Sequence, residues 1–169
     1  SAGYYTVDSG NTATSSGAVN QREVDDGYYA CDDPADSDGT GVSAGAIAQC
    51  SCPSGYFSND NTGYAACEAA AEGYYAVDSG SSATSSGAVN SAQVPSGSYA
   101  CKNGDTDGTG VNTAADDACL CPRGTFSLAG YDTCTSASTG YYTVDANNNA
   151  CDVDASCSAA VNEVIVTAG

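Results

Sequence analysis

Gly3-Tyr4-Tyr5-Thr6-Val7-Asp8-Ser9-Gly10 returns as Gly73-Tyr74-Tyr75-Ala76-Val77-Asp78-Ser79-Gly80, and again as Gly140-Tyr141-Tyr142-Thr143-Val144-Asp145. The second copy starts 70 residues after the first and the third 67 after the second, the mark of a tandem array rather than of one globular core. Within each copy the alternation predicts a short strand. Tyr5 and Val7 share one face at period two, and Tyr4 and Thr6 share the other. Each copy then runs through a small polar stretch to Ala18-Val19-Asn20, Ala88-Val89-Asn90 or Ala160-Val161-Asn162. The frame therefore reads as two strands joined by a Gly/Ser/Thr/Asn turn.

Between these frames lies a second kind of module with four cysteines. One copy opens Gly27-Tyr28-Tyr29-Ala30-Cys31, the other Gly97-Ser98-Tyr99-Ala100-Cys101. The first closes Cys50-Ser51-Cys52-Pro53-Ser54-Gly55-Tyr56-Phe57-Ser58 and ends at Cys67. The second closes Cys119-Leu120-Cys121-Pro122-Arg123-Gly124-Thr125-Phe126-Ser127 and ends at Cys134. The order is A-B-A-B-A, with modules over 1–26, 27–72, 73–96, 97–139 and 140–169. The third A copy is about five residues longer than the first and places Cys151 and Cys157 around the extra length. The expected fold class is all-β, small and disulfide-rich: a tandem array of short β modules forming a rod. No helix is convincing, because Glu68-Ala69-Ala70-Ala71-Glu72 is stopped by Gly73 and is too short to stand alone.

Composition agrees with this. The chain has no Met or Trp and only two Phe, against twelve Tyr and ten Cys. Modules this small bury too little apolar surface to fold on the hydrophobic effect alone, so the cysteines read as a disulfide framework formed in an oxidising compartment. The expected location is extracellular, secreted or at the cell surface. Residue 1 is not Met and no leader-like stretch is present, so the chain is expected to be a mature form or a piece of a longer array. Five bridges are expected. Neighbour-in-order pairing gives Cys31–Cys50, Cys52–Cys67, Cys101–Cys119, Cys121–Cys134 and Cys151–Cys157, with crossed pairing inside each B module as the alternative. The members of a Cys-x-Cys pair are poorly placed to bond each other.

The net charge is −18, with Arg22, Lys102 and Arg123 the only basic side chains. Such a chain is repelled by nucleic acid and by anionic membranes, and no run is long enough to insert into one. It attracts cations, and outside a cell Ca²⁺ is the natural one. Asp36-Ser37-Asp38-Gly39 and Asp105-Thr106-Asp107-Gly108 have the alternating-acid pattern that sets hard oxygens around a tight turn. Asn103 stands where a third ligand would sit in the second copy, and Pro34 stands there in the first. The competing reading of these loops is a Gly-rich turn with solvated acids. With no His, every His-dependent triad is excluded, and the abundant carboxylates lie in Gly-rich turns where they stay ordinary acids. An enzyme is not expected.

The Cys-x-Cys-Pro-x-Gly-x-Phe-Ser segment resembles the closing half of EGF-like modules and the cysteine-rich repeats of TNF receptors and ephrin receptors. The resemblance covers about 20 residues per module. It implies disulfide-knotted β modules in series, and Pro-x-Gly would supply the turn. In repeat style the whole chain resembles microbial cysteine-rich surface proteins, including surface-fibre proteins.

Two hydroxyl clusters, Thr12, Thr14, Ser15, Ser16 and Ser82, Thr84, Ser85, Ser86, are candidate O-glycan acceptors. No Asn-x-Ser/Thr sequon occurs. One Tyr of each Gly-Tyr-Tyr is expected in the core, and the other across a module boundary. The apolar terminal run, with Val161, Val164, Ile165 and Val166, is expected to be an uncovered strand that joins the next copy of the chain. The expected function is therefore a structural subunit of an extracellular fibre or coat, assembled head-to-tail with itself. The alternative is an adhesin or receptor fragment that binds glycan or protein with Ca²⁺.

Overall fold

A computed structural model describes residues 2–59, 65–151 and 159–166. Among them there is no helix, and every strand belongs to a two-stranded antiparallel hairpin or its short equivalent. In chain order the strands are β1 Tyr4–Val7, β2 Asn20–Glu23, β3 Tyr28–Cys31, β4 Ala48–Ser51, β5 Tyr56–Phe57, β6 Glu68–Ala69 and β7 Tyr74–Val77. They continue with β8 Asn90–Gln93, β9 Ser98–Cys101, β10 Asp117–Leu120, β11 Thr125–Phe126, β12 Thr135–Ser136, β13 Tyr141–Val144 and β14 Asn162–Ile165. Each strand pairs with its neighbour in sequence: β1 with β2, β3 with β4, and so on to β13 with β14. Contacts divide the chain into two compact units. One is Ser1–Ala70 with Ala76–Ser91, and the other is Ala71–Tyr75 with Ala92–Gly169.

The local reasons repeat with the sequence. The opening strands hold the aromatic and β-branched residues that suit a half-buried pleat. In β1, Tyr5 and Val7 face inward as the alternation requires. Asp8, Asp78 and Asp145 end the opening strand of each A frame. Asp8 Oδ1 accepts the backbone N–H groups of Gly10 and Thr12 at 2.8 and 2.9 Å, and Asp78 Oδ1 accepts those of Gly80 and Ser82 at the same distances. Asp145 Oδ1 accepts Asn147 and Asn149, both at 2.8 Å. A single carboxylate oxygen thus replaces a strand partner for two donors at the tightest point of the turn. The chain then returns to the opening strand, where the backbone N–H groups of Val19, Val89 and Val161 donate to the carbonyls of Val7, Val77 and Val144 at 2.9–3.0 Å.

The cysteines staple the B hairpins. Cys31–Cys50 and Cys101–Cys119 cross diagonally over β3–β4 and β9–β10, since Cys50 lies opposite Tyr29 and Cys119 opposite Tyr99. Cys52–Cys67 and Cys121–Cys134 close the next, shorter hairpin of each B module. The four pairs are neighbours in order. Cys151 is itself disulfide-bonded, and Cys157 lies outside the described residues. Pro53 and Pro122 accept from the Tyr56 and Thr125 N–H groups at 3.0 and 3.1 Å, and Gly55 and Gly124 take φ of 80° and 76°, which closes the expected Pro-x-Gly turns.

The cores are small clusters. The first unit contains Tyr5, Val7, Val24, Ala30 and Ala46 in one, and Tyr29 with Cys31, Ala48, Cys50 and Cys52 in another. Phe57, Ala76 and Ala88 form a third. In the second unit Val94, Ala100 and Ala115 pack with Tyr75, Val111 and Ala118.

Two expectations need correction. The terminal strand is not unpaired: β14 lies against β13 with Tyr141 opposite Ile165 and Val144 opposite Asn162. The cause is the frame itself, which folds the closing segment of each A module back on its own opening strand. The second concerns the tyrosine pairs. The first Tyr of each Gly-Tyr-Tyr, at positions 4, 28, 74 and 141, stays exposed on its strand instead of packing away.

Candidate functional site

The two Asp-x-Asp-Gly loops are built alike. Asp36 Oδ1 accepts the Asp38 N–H at 3.1 Å, and Asp38 Oδ1 accepts both the N–H and the hydroxyl of Thr40 at 2.7 and 2.6 Å. In the second copy Asp105 accepts Asp107 N–H at 3.2 Å, and Asp107 accepts the N–H and hydroxyl of Thr109 at 2.7 and 2.6 Å. The threonine hydroxyl, followed by its N–H, holds the carboxyls of Asp38 and Asp107 below the ordinary aspartate range. One oxygen of each acid is therefore committed to the turn. Gly39 and Gly108 follow, buried, with φ of 78° and 81°. A methyl group at Gly39 would meet Pro53 at 3.1 Å, and one at Gly108 would meet Pro122 at 2.9 Å, so the loop lies directly on the Pro-x-Gly turn. Cys67 and Cys134 N–H groups donate to the Gly39 and Gly108 carbonyls at 2.9 Å.

Beneath each loop lies a fully buried tyrosine, Tyr29 or Tyr99. Neither hydroxyl completes a hydrogen bond of good geometry, although the Gly39 N–H and Asp36 lie near the first and the Gly108 N–H near the second. Burial, opposed by that glycine N–H and aided by the loop aspartates, raises both phenol pKa values. Asn103 is exposed and uses its backbone N–H to donate to Asp116 Oδ1 at 2.8 Å. Among the described residues the one close group of three Cys, Asp or Glu ligands is Cys101, Asp117 and Cys119, and its two sulfurs are bonded to each other. That removes them as metal ligands.

In the hydroxyl clusters Thr12, Ser15, Ser16, Ser82, Ser85 and Ser86 are exposed. Thr14 and Thr84 are half-buried, and their hydroxyls donate to the Ser16 and Ser86 carbonyls at 2.6 and 3.0 Å. Val161 and Val164 of the terminal segment are half-buried, whereas Ile165 and Val166 are exposed.

The junctions between modules were not legible as sites. Within the first unit the Ser58 N–H donates to the Ala88 carbonyl at 3.1 Å, the Gly87 N–H donates to the Cys52 carbonyl at 2.9 Å, and Phe57 bridges Ala88 in parallel. Within the second unit the Ser127 N–H donates to the Ala160 carbonyl at 3.2 Å. The hydroxyls of Ser58 and Ser127 turn inward to the Tyr28 and Ser98 carbonyls. The only advance signal was that both B copies end their motif in Phe-Ser and every A copy keeps Ala-Val-Asn. Another clamp was invisible: Glu163 accepts the N–H and hydroxyl of Ser138 at 2.6 and 2.9 Å.

No protein-family model and no curated protein matches the chain. What holds without a relative is a small all-strand protein with four described disulfides, of the kind found in cysteine-rich extracellular modules. Among the described residues no helix is long and apolar enough to cross a membrane.

Proposed function

We propose that the protein is a structural subunit of an extracellular fibre or surface coat, assembled head-to-tail from copies of itself and not catalytic. One observation carries this: alternating modules join through backbone hydrogen bonds, seen twice with the same residue types, Ser58 to Ala88 and Ser127 to Ala160. Backbone junctions of this kind depend little on side-chain identity and can be repeated many times. Subunits stapled by disulfides around small cores suit a load-bearing or protective role outside the cell, where disulfides persist. The five-module division and O-linked sugar on Thr12, Ser15, Ser16, Ser82, Ser85 or Ser86 belong to the same reading.

A second reading is favoured by the exposed Tyr4, Tyr28, Tyr74 and Tyr141. Exposed rings on a rigid scaffold suit glycan or protein binding, with Ca²⁺ on the free oxygens of the aspartate loops, as an adhesin would use them. Negative-stain microscopy of native material separates the two. Regular filaments are expected from a fibre subunit, and dispersed single particles that bind a glycan array would replace the fibre reading with the adhesin one.

A further inference from the structure

Among the described residues the side-chain polar atoms that are buried without a hydrogen-bond partner are the hydroxyls of Tyr29 and Tyr99. They hold the same place in the two B modules. Tyr29 lies opposite Cys50 on β3–β4 and Tyr99 opposite Cys119 on β9–β10, and both rings are fully buried. Each hydroxyl ends against its Asp-x-Asp-Gly loop. Gly39, Asp36 and Asp38 lie about the first, and Gly108, Asp105 and Asp107 about the second. A buried phenol oxygen without a good partner costs stability, and here the cost is incurred twice. Phenylalanine would fill the same space without it, and the same modules use phenylalanine at Phe57 and Phe126. The acids of the loops agree with a ligand above the ring. Asp36 and Asp105 are half-buried, and Asp38 and Asp107 are exposed. In each loop the two carboxylates are close enough for the first to act on the titration of the second. The turn bonds only Oδ1 of each acid, and no described group completes a hydrogen bond to Oδ2. Two adjacent negative charges without a basic partner, over an unbonded oxygen, make a hard-oxygen set that a cation completes.

We infer that each loop is a Ca²⁺ site whose inner ligand is the tyrosine hydroxyl: Tyr29 with Asp36 and Asp38 in the first B module, Tyr99 with Asp105 and Asp107 in the second. The inference rests on the cation part of the adhesin reading, which it deepens, and is independent of assembly. Carboxylate and phenol oxygens are hard donors, suited to Ca²⁺ or Mg²⁺ rather than to zinc or copper. The inner ligand is buried, so the ion must shed water to reach it, which Mg²⁺ does reluctantly. Three side-chain oxygens leave the rest of the shell to water and backbone carbonyls, the weak class with Kd of about 10⁻⁴–10⁻³ M. The flanks differ, since Asp32 and Asp33 precede the first loop and Lys102 and Asn103 the second. The first site is therefore the tighter, by ~3–10-fold at physiological salt.

The experiment is a titration of the full chain with Tb³⁺, a luminescent substitute for Ca²⁺, at physiological salt. The chain has no Trp, so tyrosine alone sensitises the emission, and transfer falls steeply with distance. Two sensitised Tb³⁺ per chain are expected, displaced by Ca²⁺ at concentrations ~10-fold below those that Mg²⁺ needs. Asp36→Asn with Asp38→Asn, and Asp105→Asn with Asp107→Asn, should each remove one of them. Asparagine keeps the oxygen that Thr40 or Thr109 bonds and loses the charge. Asp36→Asn and Asp105→Asn alone serve if a pair disturbs folding. Tyr29→Phe with Tyr99→Phe should weaken Ca²⁺ binding ~10-fold in calorimetry, the loss of one bond to a charged partner. Ca²⁺ affinity unchanged in that variant overturns the hydroxyl as ligand and the inference with it. Binding that survives both Asn pairs puts the cation elsewhere and overturns these sites while leaving the Ca²⁺-dependent adhesin reading. A chain that binds neither Tb³⁺ nor Ca²⁺ overturns both, and the fibre reading still rests on microscopy.

Discussion

Reducing the disulfides should remove as much free energy as the fold has to spare. The described bridges close loops with sequence separations of 19 and 15 in the first unit, and 18 and 13 in the second. Loop-closure entropy assigns about 3 kcal/mol to each loop of this length, hence about 6 kcal/mol per unit. A small domain typically has about 5–15 kcal/mol in total. The apolar side of the ledger is thin, since among the described residues, apart from Tyr29 and Tyr99, the largest fully buried side chains are Val, Thr, Cys and Ser. Urea titration followed by far-UV circular dichroism at pH 7 is the assay. The oxidised chain should unfold cooperatively, and the reduced, alkylated chain should be unfolded without denaturant. Cys52→Ala/Cys67→Ala and Cys31→Ala/Cys50→Ala should each cost about 3 kcal/mol. A reduced chain that keeps a cooperative transition would falsify the argument, because the Tyr, Val and Ala clusters would then suffice alone.

Three further outcomes are expected. Tyr29→Phe and Tyr99→Phe should each leave stability unchanged or raise it by up to ~1 kcal/mol, because a buried hydroxyl without a good partner is lost. A drop above ~1 kcal/mol in thermal or urea melts would mean the hydroxyl is bonded, and a drop seen only with millimolar Ca²⁺ present would place it at a cation site. Asp38, Asp107 and Asp145 are all held below the ordinary aspartate pKa, so their contribution is complete above about pH 4 and is lost as pH falls through the depressed values. Relief of the −18 charge should act oppositely, so melting temperature should rise from pH 7 toward pH 5 and fall below pH 4. Changing all three to Asn should flatten the acid limb, and an unchanged limb would assign it to other groups. Gly27 and Gly45 share a φ of 81°, but a methyl group at Gly27 would lie 2.4 Å from the Gly87 carbonyl oxygen, while at Gly45 it meets nothing within 4 Å. Gly45→Ala should cost about 1–2 kcal/mol from backbone strain, and Gly27→Ala about 1–3 kcal/mol more. Equal losses in urea titration would show that the Gly27–Gly87 approach is not tight.

The sequence by itself determined the frame. Period-two alternation put Tyr5 and Val7 inside, the repeated Gly-Tyr-Tyr and Ala-Val-Asn marked the strands of the A hairpins, and Cys-x-Cys-Pro-x-Gly marked the stapled turn. These are local signals, carried by side chains a few residues apart and by backbone angles that Pro and Gly impose. Four matters needed the tertiary structure. Crossed and neighbour-in-order bridges are equally compatible with the spacing, and only the diagonal placement of Cys31 over Cys50, with Cα atoms 5.9 Å apart, decides between them. The aspartate loops looked like open ligand sets until Thr40 and Thr109 were seen to take one oxygen each. The terminal strand looked unpaired because its partner, Tyr141–Val144, lies about twenty residues upstream and no later segment follows the pattern. Ala18 is exposed and Ala88 buried although their local sequence is identical, and the difference depends on whether a strand end from elsewhere reaches the same carbonyl. That is a property of what packs against a segment, and no pattern within the segment encodes it.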